Sequence, residues 1–286
     1  MNHAHSPDGG LLLLLVVVAA VGYDVLATVS RRPWPWWRTA LFLSGCALLV
    51  AGLTPAGWPW PAGDFRTHMV QHLLVGMLAP LALVLGAPVT LLLRTLPRPV
   101  GRTVGRLLRT RVMHVVAHPV TALILNLGGL AVLYFTPLYV ATVRDPGLHL
   151  LVHVHFLLAG YLFAWVVAGP DPAPRRPSVP ARLVVLGVAI AFHAVLSQLM
   201  YAGAYVDLPV PAVQRQGGGT LMYYGGDIAE LLLAAALVAG WRPRRRRQQG
   251  SREPAGEAAS HASRRTMPAR TRRPEPMPAD HASAVR

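Results

Sequence analysis

Histidines recur at helical spacing inside apolar stretches of this chain. His68 and His72 are four residues apart, as are His149 and His153, so the members of each pair would lie on one face of a helix, one turn apart. An ionisable group inside a membrane costs roughly 2.5–3.5 kcal/mol on insertion scales, which makes each pair a candidate functional site. Histidines that several helices direct toward one point are typical of a metal site.

Other polar or sulfur-bearing side chains accompany the two pairs in apolar stretches. His193 and Met222 are candidate additional metal ligands. Asp227 and Glu230 are three residues apart and could bind metal, hydrogen-bond to a ligand histidine, or carry protons; we expect the hydrogen-bonding role. His155 lies about 200° round its helix from the preceding pair member, at ~100° per residue, so we group it with the two carboxylates as a supporting residue. A structural, hydrogen-bonded histidine is the alternative for His155 and His193.

The cysteine and lysine content excludes several kinds of site chemistry. Cys46 is the single cysteine, so neither an intramolecular disulfide nor a metal-binding thiol pair can form. All basic residues are arginine, and the absence of lysine excludes the Schiff bases of retinal proteins and pyridoxal enzymes. Imidazole suits copper, zinc, iron and nickel, while thioether sulfur selects Cu(I). Histidine with methionine and no thiol pair therefore favours copper.

The composition predicts a polytopic membrane protein, because 53% of the residues are hydrophobic and a bilayer span needs about 20 mostly apolar residues. We predict an all-α bundle of seven transmembrane helices within residues 1–241, followed by a disordered, Arg- and Pro-rich tail over 242–286. The net charge of +15 lies in loops and tail, which argues against a nucleic-acid partner. The predicted spans are 10–29, 37–55, 67–93, 119–139, 148–168, 181–205 and 220–241.

Arginines are concentrated in alternate connections, after spans one, three, five and seven. The other connections hold one arginine each, namely Arg66, Arg144 and Arg215. The positive-inside rule then predicts an N-terminus outside the cell and a C-terminus in the cytoplasm. The first apolar run has arginines after it and none before it, which favours an uncleaved span over a signal peptide. In this orientation the histidine pairs and their neighbours lie in the outer half of the bundle.

Two local features modify this bundle. Pro80 and Pro88 are expected to kink the third span. Between 97 and 117, arginines recur at helical spacing with apolar residues between them, which predicts an amphipathic helix at the membrane interface. A solvated basic loop is the alternative for that segment.

Several motifs resemble the CtaG-type cytochrome c oxidase assembly factors, a multi-pass membrane family. Together they cover about two-thirds of the chain, and their order and spacing make the resemblance specific. They are His68-Met69-Val70-Gln71-His72-Leu73-Leu74, continuing to Ala79-Pro80 and Leu85-Gly86-Ala87-Pro88; His149 with His153 and His155-Phe156, Gly160 and Asp171-Pro172; His193-Ala194-Val195; and Gln216-Gly217-Gly218 with Met222, Gly226-Asp227-Ile228 and Glu230.

The resemblance implies a protein of the bacterial plasma membrane that helps assemble a haem-copper oxidase and delivers copper to it. The expected partners are the lipid bilayer, terminal oxidase subunits and extracytoplasmic copper chaperones, and the expected role is binding and transfer rather than catalysis. Some members carry a histidine before the proline of the fourth span. This chain has Tyr134-Phe135-Thr136-Pro137 there, which argues against a metal ligand from that span.

Three alternatives remain open on the sequence. A copper transporter would need a polar path through the membrane, but the inner halves of the third, fifth and seventh spans are apolar. A haem-binding cytochrome or quinone-linked redox enzyme would clamp haem between histidines of two helices. A structural assembly platform would use the histidines only for hydrogen bonds.

Overall fold

In the computed structural model of the protein, residues 7–250 are described except 55–57, 62, 175 and 207. The described residues form helices and connecting segments, with no strand among them. The helices are α1 (Pro7–Thr28), α2 (Trp36–Leu53), α3 (Phe65–Leu73), a π-helical segment (Leu74–Leu78), α4 (Ala79–Leu85), α5 (Pro88–Thr95), α6 (Arg98–Leu108), α7 (Arg111–Val116), α8 (Pro119–Phe135), α9 (Leu138–Arg144), α10 (Pro146–Val167), α11 (Val179–Ala202) and α12 (Ala212–Gly250).

Within the described part of the chain, six helical segments are long and apolar enough to cross a membrane. The bent pair α8–α9 makes a seventh if the two helices count as one span. The all-helical, multi-pass architecture predicted from the sequence is therefore confirmed, while the orientation of the termini remains a prediction. The six are Gly10–Thr28, Trp36–Leu53, Phe65–Thr95, Pro146–Val167, Val179–Ala202 and Ala212–Trp241.

The fourth span is shorter than the sequence predicted. Residues 119–139 were expected to form one helix, but α8 ends at Phe135 and α9 turns away from it by 79°. Thr136 is extended, with φ −127° and ψ 168°, because a following proline disfavours the helical conformation. Pro137 then precedes the first turn of α9. The bend brings Tyr139 out of the span and into the site described below.

The last helix is longer than predicted at both ends. It begins at Ala212 rather than 220, and it continues past Trp241 to Gly250. The glycines at its start allow close packing: a Cβ on Gly218 would lie 2.5 Å from Cδ1 of Phe65, and one on Gly219 would lie 2.9 Å from a backbone oxygen of α11. The contacts between residues group the chain into two units, Met1–Arg242 and Pro243–Arg286. Residues 251–286 of the predicted disordered tail lie outside the described residues.

The third span is interrupted where its prolines predicted distortion. Pro80 has no N–H to give to the carbonyl of Gly76, four residues earlier, and the Ala79 N–H instead bonds to Leu74, five residues earlier. The Gly76 carbonyl faces α10, where a Cβ on Gly160 would lie 2.0 Å from its oxygen. Only a glycine at this position lets the two spans approach so closely. A second break lies at residues 86–87, before α5.

Asp171 joins two parts of the bundle at the end opposite the histidines. Its fully buried carboxylate accepts hydrogen bonds from the backbone N–H groups of Val89 (3.1 Å) and Thr90 (2.7 Å) and from the Thr90 hydroxyl (2.6 Å). Arg176 donates to the Asp171 carbonyl oxygen. The loop between α10 and α11 therefore caps the first turn of α5.

The segment predicted to be an amphipathic interfacial helix is helical. It consists of α6 and α7, which meet near Thr110, and the Thr110 hydroxyl accepts from Met113 N–H at the start of α7. Arg102, Arg106 and Arg109 are exposed. Its location at a membrane interface remains a prediction.

Candidate functional site

The start of α3 is held by a local network that positions its histidines. Asp64 caps the helix by accepting from the Arg66 N–H at 2.8 Å, and Arg66 also donates from Nε to Oδ1 (3.0 Å) and from Nη2 to Oδ2 (2.7 Å). These bonds to Arg66 hold the pKa of the Asp64 carboxyl below its ordinary value. The Arg66 guanidinium lies 5.1 Å from the ring of Trp60. Gln214 of α12 accepts from the Phe65 N–H at 3.4 Å, which joins the two helix starts.

His68, His149 and His153 gather where α3 and α10 begin; we call them the histidine trio. The ring centroid of His68 lies 6.2 Å from that of His149 and 6.5 Å from that of His153. The two rings of α10 are 4.4 Å apart. Nδ1 of His153 donates to the His149 carbonyl at 2.9 Å, because that oxygen can only accept. This bond fixes the tautomer of His153, with Nε2 as the nitrogen that carries the lone pair.

Two tyrosines complete the surroundings of the trio. The Tyr134 hydroxyl of α8 shares a hydrogen bond of 3.1 Å with Nε2 of His68. The ring of Tyr139 stands edge-on to His68 with a centroid separation of 5.2 Å. Phe65 packs beside the same imidazole, at 6.1 Å between centroids. The fourth span therefore supplies a polar contact to the site. The sequence analysis expected no ligand from this span and did not single out Tyr134.

His72 and His193 form a second group, which we call the histidine pair. Their ring centroids are 6.5 Å apart, and the rings are tilted by 35°. Nδ1 of His193 donates to Oε1 of Glu230 at 2.8 Å, so α12 fixes the tautomer of a histidine on α11. The edge of His72 meets Phe156, with centroids 4.9 Å apart. His72, His193 and Glu230 are buried, with 7%, 3% and 2% of their surface exposed.

The histidine pair and Glu230 contain buried polar atoms that lack a hydrogen-bond partner among the described residues. They are both ring nitrogens of His72, Nε2 of His193 and Oε2 of Glu230. Buried polar atoms without partners cost free energy, and those that occur often mark a bound ion or water. A cavity of about 30 Å³ adjoins Glu230 and is also lined by Asn126 and Gly76. It has room for about one or two waters.

The remaining candidate residues are separated by the fold. Met222 is fully buried in an apolar cluster with Phe65 and Met69. Asp227 is half-buried, so it and Glu230 do not share one environment. His155 faces α8, where its Nε2 lies 3.2 Å from the Leu125 carbonyl oxygen. This position agrees with the two-residue step that turns His155 away from the histidines of α10, and its contact with the Leu125 carbonyl favours the structural, hydrogen-bonded alternative.

The described residues contain no set of three or more His, Cys, Asp or Glu side chains arranged to hold a metal ion. The trio therefore lacks a ready tetrahedral or tetragonal geometry of the kind that Zn(II) and Cu(II) prefer. The unpartnered nitrogens of the histidine pair fit an ion that needs only two ligands, as Cu(I) does. The single thiol, Cys46, is buried in the separate packing of α1, α2 and the third span.

Residues 20–244 match the sequence profile of the cytochrome c oxidase caa3 assembly factor family. This chain belongs to that family. The matched segment includes both the histidine trio and the histidine pair, together with Tyr134 and Glu230. Membership in the caa3 assembly factor family confirms the resemblance identified from the motifs, and it suggests a role that is not catalytic.

Relatives of this caa3 assembly factor family member occur in mycobacteria. An uncharacterized protein of Mycobacterium bovis and one of Mycobacterium tuberculosis are each 40% identical to it over 188 residues, and one of Mycobacterium leprae is 36% identical over 189 residues. Each match covers 62% of this chain but 28% of the relative, so the chain corresponds to under a third of those longer proteins. No solved structure matches this chain.

Proposed function

We propose that this protein binds copper through histidines at one end of its helix bundle and passes it to a haem-copper cytochrome oxidase during assembly. The observation that carries the proposal is the convergence of five histidines from α3, α10 and α11, two of which have buried ring nitrogens without partners among the described residues. Membership in an oxidase assembly family supplies the biological context. The transfer would be binding and release, without chemical turnover.

Copper is the metal that best suits these donors. The site offers imidazoles and a nearby phenol, with Met69 sulfur 4.0 Å from that phenol, whereas the only thiol is buried elsewhere. Imidazole is a good ligand for copper in either oxidation state, and thioether favours Cu(I). Neither thiol-based copper binding nor an all-oxygen magnesium or calcium site fits this set of side chains.

Access and orientation support loading from one side of the membrane. His68 and His149 of the trio are partly exposed, whereas His72 and His193 are buried. The arginine distribution predicts that this end of the bundle faces the outside of the cell. Copper would then arrive from an extracytoplasmic copper chaperone, meet the trio first, and leave to an oxidase subunit in the same bacterial plasma membrane.

The experiment that tests the proposal combines metal content with oxidase assembly. Detergent-purified wild-type protein is compared with His68→Gln/His149→Gln, and His155→Gln is the matched control because it changes an imidazole that lies outside the site. We expect the wild type and the control to bind the same amount of copper and the double variant to bind less copper per protein. Cells that carry the double variant should also assemble less copper-loaded oxidase than cells that carry the control.

Other outcomes favour the alternative functions. A Soret absorption band in the purified protein would indicate a haem-binding cytochrome. Normal oxidase assembly together with reduced copper uptake into cells would indicate a copper transporter. Normal oxidase assembly by a folded variant that binds no copper would overturn copper delivery and leave a structural assembly platform.

A further inference from the structure

We infer that His72 and His193 form a distinct two-coordinate Cu(I) site, buried beside the histidine trio, with Glu230 as its positioning residue and counter-charge. The inference rests on the proposed copper function and specifies where in the protein the ion is held most tightly. It also assigns an oxidation state, which the copper proposal leaves open.

The tautomer of His193 supports this assignment. Its Nδ1 donates to the Glu230 carboxylate at 2.8 Å, so Nε2 carries a lone pair. That Nε2 is buried and has no hydrogen-bond partner among the described residues. A carboxylate that hydrogen-bonds to the far nitrogen of an imidazole orients the ring and raises its basicity, as in many histidine–metal sites.

His72 supplies the second ligand. It is buried, and both of its ring nitrogens lack partners in the described part of the chain. A metal–nitrogen bond is about 2.0–2.1 Å long, so an ion on a line between two imidazoles would separate the ring centroids by roughly 6 Å. The observed 6.5 Å is close to this value, so a small side-chain movement would bring both nitrogens to the ion.

Coordination number and charge both select Cu(I). No third His, Cys, Asp or Glu completes a metal site here among the described residues, and two nitrogen ligands satisfy Cu(I) but not Zn(II) or Cu(II). A monovalent ion also balances the single carboxylate of Glu230. A divalent ion would leave a positive charge in an apolar interior, which is strongly unfavourable.

The pair lies next to the trio, so the two groups can serve one ion in turn. His68 of the trio and His72 of the pair are four residues apart on α3, so the two groups are separated by about one helical turn. Cu(I) exchanges nitrogen ligands without a change of oxidation state. An ion that meets the partly exposed trio could therefore move to the pair as one copper–nitrogen bond forms and another breaks.

The test is an anaerobic titration of detergent-purified full-length protein with Cu(I) in competition with a chromogenic chelator. We expect His193→Gln to lose one tightly bound equivalent. Glu230→Gln keeps a hydrogen-bond acceptor near His193 but removes its charge, so the affinity of that equivalent should fall by about 10–100-fold. His155→Gln, the matched control, should bind as the wild type does. Circular dichroism and size-exclusion chromatography show which variants are folded, and Glu230→Gln carries the test if His193→Gln is not.

A second variant isolates the pair. His68→Gln/His149→Gln/His153→Gln removes the trio and should still bind Cu(I), with X-ray absorption showing two nitrogen ligands. Wild-type protein that binds copper while His193→Gln and Glu230→Gln bind equally well would overturn this inference but leave the proposed function standing. Wild-type protein that binds no copper at all would overturn the proposed copper function itself.

Discussion

The Tyr134 hydroxyl lies 3.1 Å from Nε2 of His68, across the interface between α8 and α3. The hydroxyl is also 4.0 Å from the sulfur of Met69, and the Tyr134 side chain is almost completely buried. This contact links the fourth span, which the sequence had left without a site residue, to the first histidine of the trio. Tyr134 therefore holds the imidazole in place and limits which of its nitrogens a metal can reach.

Replacement of this phenol should destabilise the protein. Tyr134→Phe removes the hydrogen bond to a half-buried imidazole, at an expected cost of about 0.5–1.5 kcal/mol. Thermal unfolding in detergent should show a lower Tm than the wild type. Tyr224→Phe is the matched control, because Tyr224 is 64% exposed and should change the Tm little. Equal Tm values for the two variants would show that the Tyr134–His68 bond contributes nothing to stability.

The close approach of Gly160 to Gly76 predicts a position where even a methyl group is not tolerated. In Gly160→Ala the new Cβ would meet the Gly76 oxygen at 2.0 Å, so α10 must move away from the π-helical segment. Overpacking of this kind costs roughly 1–3 kcal/mol, and the shift should also displace His72. Chemical denaturation in detergent measures the free energy of unfolding.

Gly187→Ala is the control for this glycine. It lies within α11, and a Cβ there would have no atom within 4 Å. Alanine is the better helix former by about 1 kcal/mol, so this variant should be neutral or slightly stabilised. A Gly160→Ala protein as stable as Gly187→Ala would mean that the two spans can separate at no cost.

Asp64 should make stability depend on pH at the acid end. The Arg66 hydrogen bonds lower the pKa of the Asp64 carboxyl in the folded protein. The stability that the ionised carboxylate contributes is therefore fully present above the unfolded pKa of about 3.9 and is lost as the pH falls through the folded pKa. Asp64→Asn keeps the shape but loses the ion pair and weakens the cap. The wild type should be more stable by about 0.5–2 kcal/mol near neutral pH, the range for helix caps.

The comparison of wild type and Asp64→Asn is read from unfolding curves at several pH values. The difference should stay constant from pH 5 to 8 and shrink below about pH 4, because the carboxyl is then protonated first in the unfolded state and, at lower pH, in the folded state. Arg66→Gln should reduce the same acid-dependent difference, because it removes the guanidinium that lowers the pKa of Asp64 but keeps the backbone N–H that also does so. A difference that grows on acidification would contradict the role given to this pair.

The Asp171 network predicts a loss of stability that leaves the histidines untouched. Asp171→Ala removes the acceptor of the Val89 and Thr90 N–H groups, and a lost cap costs about 0.5–2 kcal/mol. Because Asp171 lies at the end of the bundle opposite the trio, copper bound per folded molecule should not change. Thermal unfolding and metal analysis of the same preparation give both quantities, and a copper loss in folded Asp171→Ala would show coupling between the ends.

Periodicity and apolar length were sufficient to predict most of the fold. These two properties are local. The helical repeat placed His68 with His72, and His149 with His153, on one helix face, and the length of the apolar stretches predicted the seven spans. The prediction missed the start of α12, which is helical despite its glycines because α3 and α11 pack against them. The early end of the fourth span has a local cause, because Thr136 precedes a proline, but the prediction extended the helix through it.

The sequence by itself determined the chemistry that is available: imidazoles with helical spacing, carboxylates in an apolar span and no thiol pair. Only the tertiary structure decided which of these groups meet. It joined His68 to Tyr134, paired His72 with His193, and gave Glu230 but not Asp227 a histidine partner. The physical reason is that sequence spacing fixes the face of one helix, whereas the rotation and depth of that face against its neighbours depend on packing contacts between distant segments.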